Sequence, residues 1–253
     1  MPEARGVEPR RGLLVDYGGV LTSSVTRSFR AFCREQGLDG ELAKETFLEA
    51  YTTADGEESA IHKVEKGLIT AEEFAELLAG IFSRKAGRPV PAEGLIAGLF
   101  SRMELNEELF AAVAAARRAG VRTGLLSNSW GTHAQPVDPP GLVPVDALGG
   151  SDEQHRPQRL DGYPRHRFGE TFDAVVISGE VGMRKPDEDI YRYAAELLGL
   201  EPAGCVFVDD LDRNVEVAER LGMAGIVHRD NDETLPRLAE LLGLELSLLR
   251  GAA

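Results

Sequence analysis

Hydrophobic residues along this chain follow two patterns. Short, nearly unbroken apolar runs occur at residues 12–17 (GLLVDY), 121–128 (VRTGLLSN), 172–178 (FDAVVIS) and 205–210 (CVFVDD), with a shorter one at 224–228 (AGIVH). They lack the in-out alternation of half-exposed strands, and continuous runs of this length read as strands buried on both faces. Between the later runs, apolar residues recur every three or four positions. Helices are predicted over 106–120, 187–200 and 212–222, with Gly120 as the stop of the first. Strands alternating with helices of this length predict βαβ units and a mostly parallel sheet. The expected class is α/β, with a three-layer, Rossmann-like core.

Two stretches depart from this alternation. Residues 22–102 hold no clear strand. VTRSFRAFCREQG, ELAKETFLEAY and TAEEFAELLAGIF each carry apolar residues at helical spacing. About eighty helical residues inserted after the first strand predict a separate small domain. Residues 131–162 show no periodicity and contain five prolines and five glycines in 32 residues. They read as an extended, flexible loop insertion.

Composition narrows the partners. The net charge of -14 argues against a nucleic-acid backbone as ligand. It leaves room for a small phosphorylated substrate, which one local cation and a metal can hold. No apolar run approaches the ~20 residues that span a bilayer, and the charged first residues do not resemble a secretory signal. Two cysteines, Cys33 and Cys205, lie far apart in sequence, which argues against a disulfide framework. A cytoplasmic location is the resulting expectation.

The predicted strands end on polar groups. Asp16, Ser127 and the pair Asp209-Asp210 stand at or just past the carboxyl ends of three of them, where ligands of open α/β sheets bind. Lys185, in GMRKPD, falls in the loop after another. Together these offer a carboxylate nucleophile, a hydroxyl, a cation and further carboxylates. That set suits phosphoryl transfer to an enzyme aspartate with Mg²⁺, an ion that takes oxygen ligands. Asp209 and Asp210 side by side are costly unless a cation or hydrogen-bond donors stabilise them, and a helix N-cap at Asp212 does not explain that pair.

The order VDYGGVLT, LLSNSW, GMRKP and VFVDD resembles the haloacid dehalogenase-like hydrolase superfamily. SNSW, VGMRKPDEDIY and VFVDDLDRN resemble in particular the N-terminal phosphatase domain of soluble epoxide hydrolases and its bacterial relatives. The resemblance runs over most of residues 12–245. It implies a core of residues 11–22 and 103–253 and a helical cap of residues 23–102. Asp16 would be the nucleophile that becomes aspartyl-phosphate. Asp16, the Gly18 carbonyl and Asp210 would hold Mg²⁺, with Asp209 either a further ligand or a support behind the ligands. Ser127 and the Asn128 amide would hold phosphoryl oxygens, Lys185 would neutralise charge, and Asn214 would orient the metal site.

One position breaks the family pattern. The family carries Asp-x-Asp, and its second Asp is the general acid-base; here that position is Gly18. General acid-base catalysis is typically worth ~10²–10⁴ in rate. The branch the chain most resembles contains hydrolases with this same glycine. Two alternatives follow: a metal-free dehalogenase, which would not need Asp209-Asp210, and a non-catalytic phosphometabolite-binding protein.

Other charged and aromatic residues have simpler readings. Arg184 is expected on the surface. His62, Lys63, Arg27 and Arg30 are expected on a solvated helical face. Trp130 either lines the cleft or packs. His133, His155 and His166 fit no compact zinc spacing and are read as exposed. The sequence leaves the oligomeric state open.

Overall fold

The computed structural model describes residues 9–51, 58–129 and 167–251. Trp130, the 131–162 insertion and His133, His155 and His166 lie outside the described residues. Five strands form one parallel sheet: β1 (Gly12–Val15), β2 (Arg122–Ser127), β3 (Ala174–Ile177), β4 (Cys205–Asp209) and β5 (Ala224–Val227). Their order is β3-β2-β1-β4-β5, so the chain winds outward from β1 in both directions. All five coincide with the predicted runs, each shortened by one to three residues. The trimmed residues include Asp16 and Asp210, which follow their strands rather than belonging to them.

Alternate residues of each strand feed two cores. Leu13, Val15, Val206 and Val208 point to one face, where they meet Leu109, Phe110, Val113, Leu235, Leu238 and Leu242. Those side chains come from α6 (Glu107–Arg118) and α11 (Asn231–Leu242). Leu14, Leu126, Val176 and Phe207 point to the other face. There they meet Ile190, Tyr191 and Ala194 of α9 (Glu188–Leu197) and Val215 and Ala218 of α10 (Asp212–Arg220). The result is three layers, as expected of βαβ units. Gly120 has φ 95°, the left-handed conformation that stops α6 as the sequence predicts. The cap position of α10 is Leu211, not Asp212. Its backbone N–H is taken by Asp209 Oδ1 at 2.9 Å, which frees Asp212 to start the helix.

Residues 23–102 contribute α1 (Val25–Glu35), α2 (Gly40–Tyr51), α3 (Ala60–Glu65), α4 (Ala71–Ala86) and α5 (Leu95–Phe100). No strand occurs among their described residues. They pack around a cluster of their own that includes Phe29, Cys33, Val64, Phe74, Leu78, Phe82 and Leu99. Phe29 anchors it, edge-on to Phe47 at 4.8 Å and to Phe82 at 5.6 Å between ring centroids. Truncating a buried phenylalanine such as Phe82 costs about 3–5 kcal/mol. α4 is started by a capping box, with Thr70 and Glu73 each bonding the other's backbone N–H. The short helices α3 and α5 have too few turns to show a period, and the sequence pattern did not predict them.

The two chain crossings between this helical unit and the sheet run side by side. Ser23 N–H donates to Glu104 O at 2.8 Å, and Asn106 N–H to Leu21 O at 2.9 Å. The Asn106 side chain adds a bond to Val20 O at 3.0 Å. Three further short helices occur among the described residues: α7 (Phe168–Thr171), α8 (Ser178–Val181) and α12 (Leu246–Leu249). No helix is long and apolar enough to cross a membrane among the described residues.

Candidate active site

Register builds the site. Val15 pairs with Val208 across the β1/β4 ladder, so the next residues, Asp16 and Asp209, emerge side by side. Asp16 N–H donates to Val208 O at 2.9 Å, which fixes the chain at that point. Ser127 ends β2 on the other side of β1, buried at the same end of the sheet. Asp16, Asp209 and Asp210 each bring a carboxylate oxygen within 4.8 Å of the others.

Lys185 reaches this cluster from the loop after α8. Its Nζ lies 2.8 Å from Asp16 Oδ1 and 2.6 Å from Asp209 Oδ2. The lysine side chain is 1% exposed, an unusual burial for this residue. Burial works against its charge, but Asp16 and Asp209 outweigh that and hold its pKa above the ordinary lysine range. Asp209 is fully buried and saturated with donors. Besides Lys185 it accepts from Leu211 N–H and from Asn214 Nδ2, at 3.0 and 3.1 Å to its two oxygens. Asn214 Oδ1 is buried without a partner.

When all three carboxylates are ionised they outnumber the Lys185 ammonium by two, in a largely buried place. Burial pushes the Asp16 carboxyl up to about 7; Lys185 opposes this, and Asp209 and Asp210 add to it. Burial likewise pushes Asp210 up to about 6, with Asp209 next in effect. A divalent cation matches that excess, and the donors are all hard oxygens, the set Mg²⁺ prefers. The backbone makes room for it. Gly19 has φ 84°, and a β-carbon there would overlap the Asp210 carboxylate. Gly18 has no positive φ, and a β-carbon there would lie 3.2 Å from Val25 Cγ2.

The structure thus brings Asp16, Lys185, Asp209, Asp210 and Asn214 together and places Ser127 at the same sheet end. The Asn128 side chain has a role that its motif does not announce. Its side-chain amide holds the Lys185 backbone, accepting Lys185 N–H at 2.8 Å and donating to Lys185 O at 2.8 Å. Arg184 corrects the sequence reading. It is 5% exposed, not on the surface, because Glu65 of α3 lies over it and accepts its Nε at 2.8 Å. Two further contributors had no role assigned from the sequence. Gly19 is the glycine that the Asp210 carboxylate requires. Arg229, after β5, donates Nη1 to Asp210 O at 2.7 Å.

Known proteins are similar to this chain. Bifunctional epoxide hydrolase 2 of Sus scrofa is 27% identical over 244 residues, covering 93% of this chain and 39% of the relative. The chain therefore spans well under half of that protein's length. A sesquiterpene phosphatase of Aspergillus oryzae is 35% identical over 78 residues, 31% of this chain and 40% of the relative. Among solved structures, a variant of a HAD-family enzyme of Bacteroides thetaiotaomicron, in complex with magnesium and inorganic phosphate, superposes with a TM-score of 0.58. It is 21% identical, covering 88% of this chain and 95% of that one, and so speaks for the fold. The family model for haloacid dehalogenase-like hydrolases matches residues 11–222, which contain every strand but β5 and the whole carboxylate cluster, and the chain belongs to that family.

Proposed function

We propose that this chain is a Mg²⁺-dependent phosphatase that hydrolyses a small phosphate monoester through an aspartyl-phosphate on Asp16. The observation that carries the reading is the pairing of Asp16 with Lys185 at 2.8 Å, within 4.8 Å of two further carboxylates. A dehalogenase without a metal would have no use for that buried excess of negative charge. The similarity to a named phosphatase points the same way.

In this reading Asp16, Asp210 and the Gly18 carbonyl would hold the ion, with Asp209 behind them. Bound there, Mg²⁺ keeps the carboxylates ionised and offsets charge on the phosphoryl oxygens. An Asp16 carboxylate oxygen attacks phosphorus, and the bond to the ester oxygen breaks. Water then attacks the acyl phosphate, releasing inorganic phosphate and the Asp16 carboxylate. Lys185 stays charged throughout and holds Asp16 Oδ1 in place. Asp209 acts chiefly on Lys185, because that lysine, Leu211 and Asn214 occupy its oxygens. Ser127 offers a hydroxyl to the phosphoryl group. With Gly18 in place of the family's second Asp, the leaving oxygen takes its proton from water or from the substrate. Residues 23–102 serve as a cap over the carboxyl ends of the strands.

The test is turnover of a panel of phosphate monoesters with and without Mg²⁺. Release of phosphate that stops on chelation is expected. A protein that binds Mg²⁺ and inorganic phosphate but turns over nothing would replace this reading with the phosphometabolite-binding one.

A further inference from the structure

Outside the carboxylate cluster, one other ion pair among the described residues is buried on both sides. Arg184 and Glu65 side chains are 6% and 10% exposed, with Nε 2.8 Å from Oε2. The pair joins the end of α3, in the helical unit, to the loop that carries Lys185. Its neighbours dock on the same stretch. Gly67, at φ 69°, packs so closely that a β-carbon there would lie 2.7 Å from Gly179 O. Lys66 Nζ lies 3.9 Å from Asp187 and 2.6 Å from Glu58. Residues 65–67 therefore rest on residues 179–187.

Lys185 is gripped from two directions. On the sheet side, Asn128 holds its backbone through two hydrogen bonds. On the other side, Glu65 holds the residue before it. Consecutive α-carbons are a fixed ~3.8 Å apart, so a shift of Arg184 moves Lys185. We propose that Glu65 is a positioning residue: through Arg184 it locks the helical unit onto the Lys185 loop, and so fixes Nζ between Asp16 and Asp209. Burying both charges is tolerable only while they meet, and leaving one buried alone is costly. The contact is therefore either made, with the unit docked, or broken, with both groups in water. The inference rests on the reading of residues 23–102 as a cap.

The variants are Glu65→Gln, Arg184→Met and the double substitution. Hydrogen exchange of the segment 183–190 is read beside exchange of β4. Turnover of p-nitrophenyl phosphate with Mg²⁺ is read beside both. Each single variant should raise exchange in 183–190 without changing β4, and lower kcat by roughly 10–100-fold, the scale of a small misplacement of a reacting group. The double variant has no unpaired buried charge, so its unfolding temperature should return towards wild type. Its exchange should stay fast and its kcat low, because the tether is gone.

Recovery of exchange protection and kcat together with the unfolding temperature would show a purely structural pair and overturn the proposal. So would single variants with wild-type exchange. Arg184→Lys keeps the charge and serves if the Met variants do not fold. It should retain more protection than Glu65→Gln, and equal loss in the two would overturn the proposal. If the wild-type protein turns over nothing, the phosphatase reading fails on its own, and the exchange measurements still decide the tether.

Discussion

The Asp210 carboxylate occupies the space that a side chain on Gly19 would fill. Gly19 also has φ 84°, a conformation that costs an L-residue roughly 1–2 kcal/mol. Both facts load on one position. Gly19→Ala should therefore displace Asp210 as well as strain the turn. We expect Mg²⁺ affinity, read by titration calorimetry, to fall by at least ~10-fold, the scale seen when support for a ligand is lost. Unfolding should move down by a few degrees. Wild-type Mg²⁺ affinity in a folded Gly19→Ala protein would show that Asp210 does not hold the ion.

Asp16→Asn separates chemistry from folding. The amide keeps the shape and can still accept from Lys185 Nζ, now 2.8 Å from Oδ1. It cannot attack phosphorus. It also removes one of three like charges in a buried cluster, so thermal unfolding without metal should stay level or rise. Turnover should vanish. A folded variant with most of the wild-type rate would rule out the aspartyl-phosphate route.

The two cysteines report on the two units separately. Cys33 lies in the helical cluster and Cys205 in the core beside α9 and α10. Both are free and buried, and burial pushes each thiol up to about 11. Under about 1% of either is thiolate at neutral pH, so iodoacetamide should label neither in the native protein. Both should label in guanidinium. In sub-denaturing guanidinium, Cys33 should label first if the helical unit opens on its own. Simultaneous labelling of both would mean that the two units unfold as one.

The parts that sequence patterning revealed share a cause. A strand buried on both faces must be apolar throughout, so β1 to β5 stand out as runs, and the polar residue that ends each run marks the sheet's carboxyl edge. Asp16, Ser127 and Asp209 are legible for that reason. What patterning missed depends on distance in space. Arg184 looks like an ordinary loop arginine until Glu65, 119 residues away, is placed over it. Asn128 sits in a motif that suggests ligand contact, and nothing in that motif announces the grip of its side chain on the Lys185 backbone 57 residues on. Gly18 and Gly19 are equivalent as letters. Only the backbone shows that Gly19 has the left-handed conformation and that Gly18 does not.

That difference makes Gly18 open to substitution and leads to a kinetic prediction. A phosphatase without its general acid should depend on the leaving group. An aryl phosphate leaves as a weak base and hardly needs a proton, whereas an alkyl phosphate leaves as a strong base and does. Turnover of aryl phosphates should therefore exceed that of alkyl phosphates under Mg²⁺. Gly18→Asp should narrow the gap by raising alkyl turnover more, by up to the ~10²–10⁴ that general acid-base catalysis contributes. The steric demand is small. The backbone needs no left-handed φ there, and Val25 Cγ2, 3.2 Å from the new β-carbon, must give by a few tenths of an ångström. Unfolding should shift by no more than a few degrees, which thermal melts of both proteins would check. An unchanged aryl-to-alkyl ratio in the folded variant would mean that another group already protonates the leaving oxygen, and the role assigned to the missing aspartate would fall.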